Sequence, residues 1–311
     1  MNDLLFKDWL QKWLLEQENL IKESSCASFD LHIQNHIIPY FKEYKLKEVD
    51  NNSIQEFIYY LSNKGRLDGT GGLAVATIRD IILVVKLSLK EAARKNLIDK
   101  PVFDLKYPKV YVDNQLVTLT KEEQHKLVQA VYLDLTPKSV GLLISSFCSL
   151  RIGELCALKW SDINFADKTI TISKTLQRIY KKGCKSKIII GPPKTESSYR
   201  IIPIPSQLAL IMQKIQSKSN YYVLTGTKNY TEPRTYRRYY KNFMRKNELP
   251  QIKFHGLRHT FATRAIENPE FDIKSLAYVM GHKNPSFTLN VYGRSNLSQS
   301  RKCMESLNSM L

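Results

Sequence analysis

Apolar side chains along the first hundred positions recur at helical spacing and are cut by clear stops. Phe6, Trp9, Leu10 and Trp13 share one helical face. A second helix is predicted from near Ser24 to a stop at Pro39. Ser53 and Glu56 have capping-box spacing and open a third, which the glycine-rich stretch Gly65 to Gly72 ends. Thr77 and Asp80 then open a longer amphipathic helix that carries Ile78, Ile81, Ile82 and Val85 and fades by Asn96. Short helices in such succession make a compact all-α bundle.

Asp99 to Gln115 contains Pro101 and Pro108 without a sustained period, and reads as connecting chain. Thr120, three residues before Glu123, opens a new helix, and helical patterning continues to Leu158. The period then changes. Lys168 to Ser173 (KTITIS) alternates polar with β-branched residues, as do Lys187 to Ile190 and Tyr199 to Ile204, which predicts a small antiparallel sheet. From Ser206 the pattern is helical again. The expected fold is mainly α with a small antiparallel β-sheet. Its parts are an N-terminal helical bundle over residues 1–108, a connection over 109–116, and an α+β unit over 117–311 that ends in a tail helix.

Charge sharpens that division. The 311 residues carry a net charge of +18, and residues 1–116 hold 16 basic and 16 acidic side chains. The remaining 31 basic and 13 acidic side chains lie in residues 117–311, so the whole surplus sits there. Such a surplus points to a polyanion, of which nucleic acid is the commonest. The cysteines Cys26, Cys148, Cys156, Cys184 and Cys303 are odd in number and contain no CxxC pair, which suits a reduced compartment. No leader-like stretch opens the chain, and the uncharged run Ser139 to Leu150 is too short to span a bilayer. A soluble protein of the cytosol, without a membrane partner, is expected.

Four segments could carry chemistry. In FHGLRHTFATR (254–264), His255 and Arg258 project from one helical face. An arginine fork clamps a phosphate through two hydrogen bonds, and an imidazole exchanges protons near neutrality; a histidine that only caps its helix explains His255 equally well. In MGHKNPSFTLNVYGR (280–294), His282 stands ten residues before Tyr292, one of seventeen tyrosines and by itself no more than a core residue. SLRIGELCALKWSDI (149–163) offers Arg151 and Glu154 in the first turn of a helix, a pairing that is usually solvated. PPKTESSYRIIPI (192–204) puts Lys194 at a hairpin tip, where a lysine is unremarkable.

Taken in order, Arg151, Lys194, His255, Arg258, His282 and Tyr292, in the wording LRIGEL, FHGLRHTFAT, MGH and LNVYGR, resemble the catalytic set of the tyrosine recombinase or phage integrase family. The likeness covers about residues 117–295. The N-terminal helices, with IKESSCASFDLHIQNHIIPYF, resemble that family's core-type DNA-binding domain. The resemblance implies that Tyr292 attacks a DNA phosphate and forms a 3′-phosphotyrosyl bond. Arg151 and Arg258 would clamp the phosphate, and His255 would help remove the tyrosine proton. Lys194 would protonate the departing 5′ oxygen, His282 would hydrogen-bond a non-bridging oxygen, and Glu154 would hold an arginine or histidine from behind. No cofactor and no metal ion are implied. The implied partners are double-stranded DNA recombination sites, further copies forming a homotetramer on synapsed DNA, and a directionality factor.

The neutral N-terminal unit departs from a clamp that is basic on both sides; Lys42, Lys45, Lys47, Arg79, Lys86, Arg94 and Lys95 are candidates for a local basic face. The tail from Asn296 to Leu311 carries Met304, Leu307 and Leu311 at helical spacing, for docking on its own unit or on a neighbouring protomer. FHGLRHTFAT and TLNVYGR look more like integrases of phages and conjugative transposons than like Xer recombinases. Competing readings are an Xer-like dimer resolvase, a type IB topoisomerase, and a DNA-binding regulator that has lost catalysis. Many integrases carry a further N-terminal domain that reads arm sites. This chain starts almost directly at the core-binding helices, so it either works without arm sites or is a fragment.

Overall fold

The computed structural model describes residues 4–109, 117–180, 183, 185–193, 198–268, 270–284 and 286. It forms two compact units, Met1–Asn114 with Arg178–Lys187, and Gln115–Gln177 with Ile188–Leu311. The described residues are mostly helical, and the sheets among them are small and lie in the middle of the chain.

The first unit contains α1 (Phe6–Gln17), α2 (Glu23–His32), α3 (Ile38–Tyr40), α4 (Asn51–Lys64) and α5 (Val75–Arg94). Phe6, Trp9, Leu10 and Trp13 are buried, as their spacing predicts, and share a core with Ile78, Ile81, Ile82 and Val85 of α5. The Trp9 indole N–H donates to the Ser88 carbonyl at 3.1 Å, so the large side chain is buried without stranding its donor. Three helix ends differ from the sequence reading. The second helix does not stop at Pro39: a π turn over Ile33–Ile37 leads into α3, which runs one residue past the proline. The cap of α4 is Asp50, not Ser53. Asp50 Oδ1 accepts from the Ser53 amide at 2.8 Å and its own amide donates to Ser53 Oγ at 3.0 Å, so Ser53 fills the return position of a box set three residues earlier. Helix α5 begins at Val75, two residues before Thr77, and Ala74 at its N-cap supplies no side-chain acceptor.

The connecting chain after α5 is tied down along its first part. Asn51 donates to the Asp104 carbonyl at 3.1 Å and accepts from the Asp104 amide at 2.9 Å. One helical turn on, Gln55 repeats the pattern with Lys106 at 3.0 and 2.8 Å. Two side-chain amides thus imitate the rungs of a β-ladder, while Phe103, Leu105 and Tyr107 pack on the bundle core. The guanidinium of Arg79 lies over the Tyr107 ring, and the ammonium of Lys86 over Phe103. Lys95 pairs with Glu16 at 2.6 Å and Arg94 with Glu91 at 2.7 Å. Four cations proposed for a basic face therefore have partners within the bundle.

The second unit is built around α7 (Pro137–Cys148), which holds most of the uncharged run and packs against α6 (Lys121–Leu133), α8 (Ile152–Ala157), α9 (Ser206–Lys214), α10 (Pro233–Lys246) and α11 (His255–Glu267). Thr120 caps α6 through the predicted box with Glu123. In the three-stranded sheet, β2 (Thr169–Ile172) pairs antiparallel with both β1 (Ile163–Asn164) and β5 (Arg200–Pro203). A separate pair joins β3 (Thr175–Ile179), absent from the sequence reading, to β4 (Lys187–Gly191). Helix α12 (Ile273–Met280) follows α11, its N-terminus capped by Asp272. Among the described residues no helix is long and apolar enough to cross a membrane. Cys148 and Cys156 are buried thiols without a disulfide, and burial pushes both up to about 12.

Candidate active site

Arg151 occupies the N-cap of α8, and Glu154 sits at the third helical position. The Arg151 amide donates to Glu154 Oε2 at 2.9 Å and its Nη1 to Oε1 at 2.8 Å, so one carboxylate caps the helix and grips the guanidinium. Arg151 Nη2 reaches the Gly281 carbonyl at 3.3 Å. Glycine is required between them: a Cβ on Gly153 would stand 2.5 Å from Thr175 Oγ1 and 2.8 Å from the Leu176 carbonyl, where β3 passes. The expectation of a solvated pair is corrected here. Glu154 is 3% exposed, because β5 and its arginine close over it.

Arg258 lies one turn into α11 and is 2% exposed. Its Nη1 donates to the Ser149 carbonyl at 2.6 Å, and its Nη2 to the Met280 carbonyl and to His282 Nε2, the latter at 3.0 Å. Because a guanidinium only donates, Nε2 must accept and the imidazole carries its proton on Nδ1. Both sets of acceptor carbonyls are aimed by left-handed residues. Ser149 (φ 56°) ends α7, and Gly281 (φ 61°, ψ 45°) ends α12. Gly281 then delivers His282, whose amide closes back on the Ala277 carbonyl at 2.9 Å. His255 is the first residue of α11, with Phe254 at the N-cap, so it does not cap the helix. Its ring meets that of His259 edge to face, with centroids 4.7 Å apart.

Beneath Arg151 lies Arg200. Its Nη1 and Nη2 bind the two oxygens of Glu154 at 3.1 and 2.9 Å, Nη1 also donates to the Ser198 carbonyl at 3.0 Å, and Nε donates to the Val279 carbonyl at 2.8 Å. The sequence reading missed this residue, although a signal was present. Along β5, Arg200 and Ile202 face inward while Ile201 and Pro203 face out, so an arginine stands in phase with the apolar set, opposite Ile172.

The electrostatics follow from this packing. Two guanidiniums, Arg151 and Arg200, share one carboxylate and Arg258 bonds none, which leaves the cluster cationic. Burial alone would push the Glu154 carboxyl up, but the hydrogen bonds and charge of Arg200, joined by Arg151, outweigh it and the net displacement is downward. His255 is held down to about 4 by burial, then by His259, Arg258 and Arg151. His282 is likewise held down to about 4, by burial and then by Arg258, Arg151 and Arg200. Both imidazoles are therefore neutral at pH 7. Direct hydrogen bonds join Arg151 to Glu154 and Arg258 to His282, the Met280 and Gly281 carbonyls link the two pairs, and His255 lies one turn from Arg258. Lys194, Tyr292 and the tail carrying Met304, Leu307 and Leu311 lie outside the described residues.

Comparison with known proteins adds three findings. The phage integrase family matches residues 117–299, and the phage integrase N-terminal SAM-like domain matches residues 5–62. A XerC-like tyrosine recombinase of Caldanaerobacter subterraneus subsp. tengcongensis is 25% identical over 334 residues, 99% of this chain and 84% of that protein. The transposase of transposon Tn916 from Enterococcus faecalis is 27% identical over 259 residues, 76% of this chain but 63% of its own length. In fold, the chain is similar to the Tn1549 transposon integrase solved in complex with transposon right-end DNA, with a TM-score of 0.78, 22% identity, and coverage of 99% of this chain and 100% of that one.

Proposed function

The chain belongs to the phage integrase family, and from that premise we propose that this tyrosine site-specific recombinase integrates and excises a mobile element, with Tyr292 as its nucleophile. The observation that carries the reading is a cationic cluster in which Arg151 and Arg258 are fixed by carbonyls and a carboxylate before any substrate arrives. Donors held in place where charge will develop stabilise a phosphorane-like transition state without reorganising. In the proposed step the Tyr292 oxygen bonds to phosphorus and the bond to the 5′ oxygen breaks. The phenol proton passes to His255, and Lys194 supplies a proton to the leaving oxygen. His282 and the two arginines hold the non-bridging oxygens, with Glu154 behind Arg151. The bond energy is kept in the 3′-phosphotyrosyl link, so rejoining reverses the same step.

One tyrosine cuts one strand, and reciprocal exchange between two duplexes cuts four. That count supports a homotetramer on synapsed DNA. A directionality factor and action in the bacterial cytoplasm belong to the same reading. Its division of labour gives recognition of core sites to the bundle of residues 1–108 and catalysis to residues 117–311, joined by 109–116. The likeness to the Tn916 transposase supports element movement.

The test is covalent capture. Incubating the chain with sheared host DNA, denaturing, and sequencing the DNA that stays attached should recover a discrete core site. A nicked duplex bearing that site should then trap the enzyme. Tyr292→Phe should bind the duplex and give no covalent band. A band of full intensity from Tyr292→Phe, or no attached DNA from the parent chain, would refute the proposal.

A further inference from the structure

Arg200 has no surface from which to touch DNA, since it is 2% exposed and its side chain is sealed beneath Glu154. A buried cation is also a poor device for stability alone. Desolvating a guanidinium and a carboxylate costs about what their attraction returns, and apolar side chains of similar size often serve as well. Its hydrogen bonds, however, end on the parts that hold the active site. Glu154 receives two of them and in turn grips Arg151 through Oε1. The Val279 carbonyl receives another; the next carbonyl, Met280, takes Arg258, and the one after, Gly281, takes Arg151. The Ser198 carbonyl completes the fork at the entry to β5.

We propose that Arg200 is a positioning residue for strand cleavage. Its planar fork locks the carboxylate of Glu154 and the carbonyl end of α12 into one frame, and so presents the Arg151 guanidinium to the scissile phosphate. The inference rests on the reading of Arg151 as a phosphate clamp. A lysine in its place keeps the charge, but a single ammonium cannot span both carboxylate oxygens and the Val279 carbonyl with the same geometry.

The experiment compares two duplexes built on the captured core site, one with an ordinary scissile phosphate and one with a methylphosphonate that lacks the negative charge on a non-bridging oxygen. Neutralising that oxygen removes the demand that Arg151 meets, so Arg151→Ala should cut the ordinary duplex roughly a hundredfold slower than the parent and recover most of the loss on the methylphosphonate. Arg200→Lys should show the same ordinary deficit, the same recovery, and unchanged DNA affinity. If Arg151→Ala recovers and Arg200→Lys is equally slow on both duplexes, Arg200 is only structural and the inference is overturned. If Arg151→Ala does not recover, the clamp reading fails and the inference goes with it. Should Arg200→Lys not fold, the neutral pair Glu154→Gln with Arg200→Met, which keeps the volume, is assayed in the same way and judged by the same recovery.

Discussion

Replacing Glu154 with alanine removes the acceptor shared by two arginines and leaves the Arg200 charge buried. The side chains of Arg200 and Glu154 are 0% and 2% exposed, so water cannot take the place of the lost carboxylate. Breaking a buried pair from one side costs about 3–5 kcal/mol. Arg200 keeps its bonds to Val279 and Ser198, which favours the lower end, while loss of the cap on the Arg151 amide adds to it. With a urea slope of ~3 kcal/mol/M, the unfolding midpoint of the full chain should fall by roughly 1 M. Glu154→Leu combined with Arg200→Met removes both charges and should return the midpoint to the parent value or above it, because no charge is then stranded. Cleavage should not return with it: both variants should cut the captured duplex at least about a hundredfold slower than the parent. Circular dichroism in urea and single-turnover cleavage are the two measurements. A Glu154→Ala midpoint equal to that of the parent, or a double variant as unstable as the single one, would refute the account of the buried network.

The depressed histidines set a second expectation. His32, His36, His255, His259 and His282 all lie below the ordinary value of 6.5, so under acid the unfolded chain binds protons that the folded chain refuses. Stability should be level above pH 6.5 and fall as pH drops from there toward about 4, read as the urea midpoint at pH 7.5, 6 and 5; a midpoint that rises on acidification contradicts it. Gly281→Ala should cost about 1–2 kcal/mol through its left-handed backbone and slow cleavage more than it weakens DNA binding, whereas Gly281→Asn should lose less. Equal losses from alanine and asparagine would show that the backbone angle is not the cause. Removing both rungs with Asn51→Ala and Gln55→Ala should expose the backbone around Asp104 and Lys106, and trypsin should cut after Lys106 several times faster; an unchanged rate would mean that Phe103, Leu105 and Tyr107 hold the segment alone.

Much of the fold could be read from local pattern, and the failures share a physical origin. The α1 face, the Thr120 cap and the KTITIS strand are decided by neighbours three or fewer residues away, and each stands as its spacing indicates. Asp50 and Ser53 are both good capping types with the same spacing to a partner, and pattern alone cannot tell which of two overlapping boxes closes. The Arg151 and Glu154 pair looks solvated in sequence because its burial comes from β5 and α12, more than forty residues away. Arg200 differs in sequence from an ordinary strand residue only as a charge in phase with the inward apolar positions of β5. The groups that touch one another in the cluster come from α8, β5, α11 and the end of α12, an arrangement no local window contains.

Helix α12 ends in three successive carbonyls, Val279, Met280 and Gly281, and each is taken by a different arginine. The helix that offers them is eight residues long and rests on a small cluster of Leu276, Met280, Ala262 and Ala265, with Val279 its one side chain in the main core of the unit. Elements with so little buried area open at a lower free energy than the body of a domain. When α12 loosens, all three guanidiniums lose one of their anchors in one event, while those at Glu154, Ser198 and Ser149 remain. Heating should therefore silence the enzyme in a single step while most of the chain is still folded, and cooling should restore it without refolding the core.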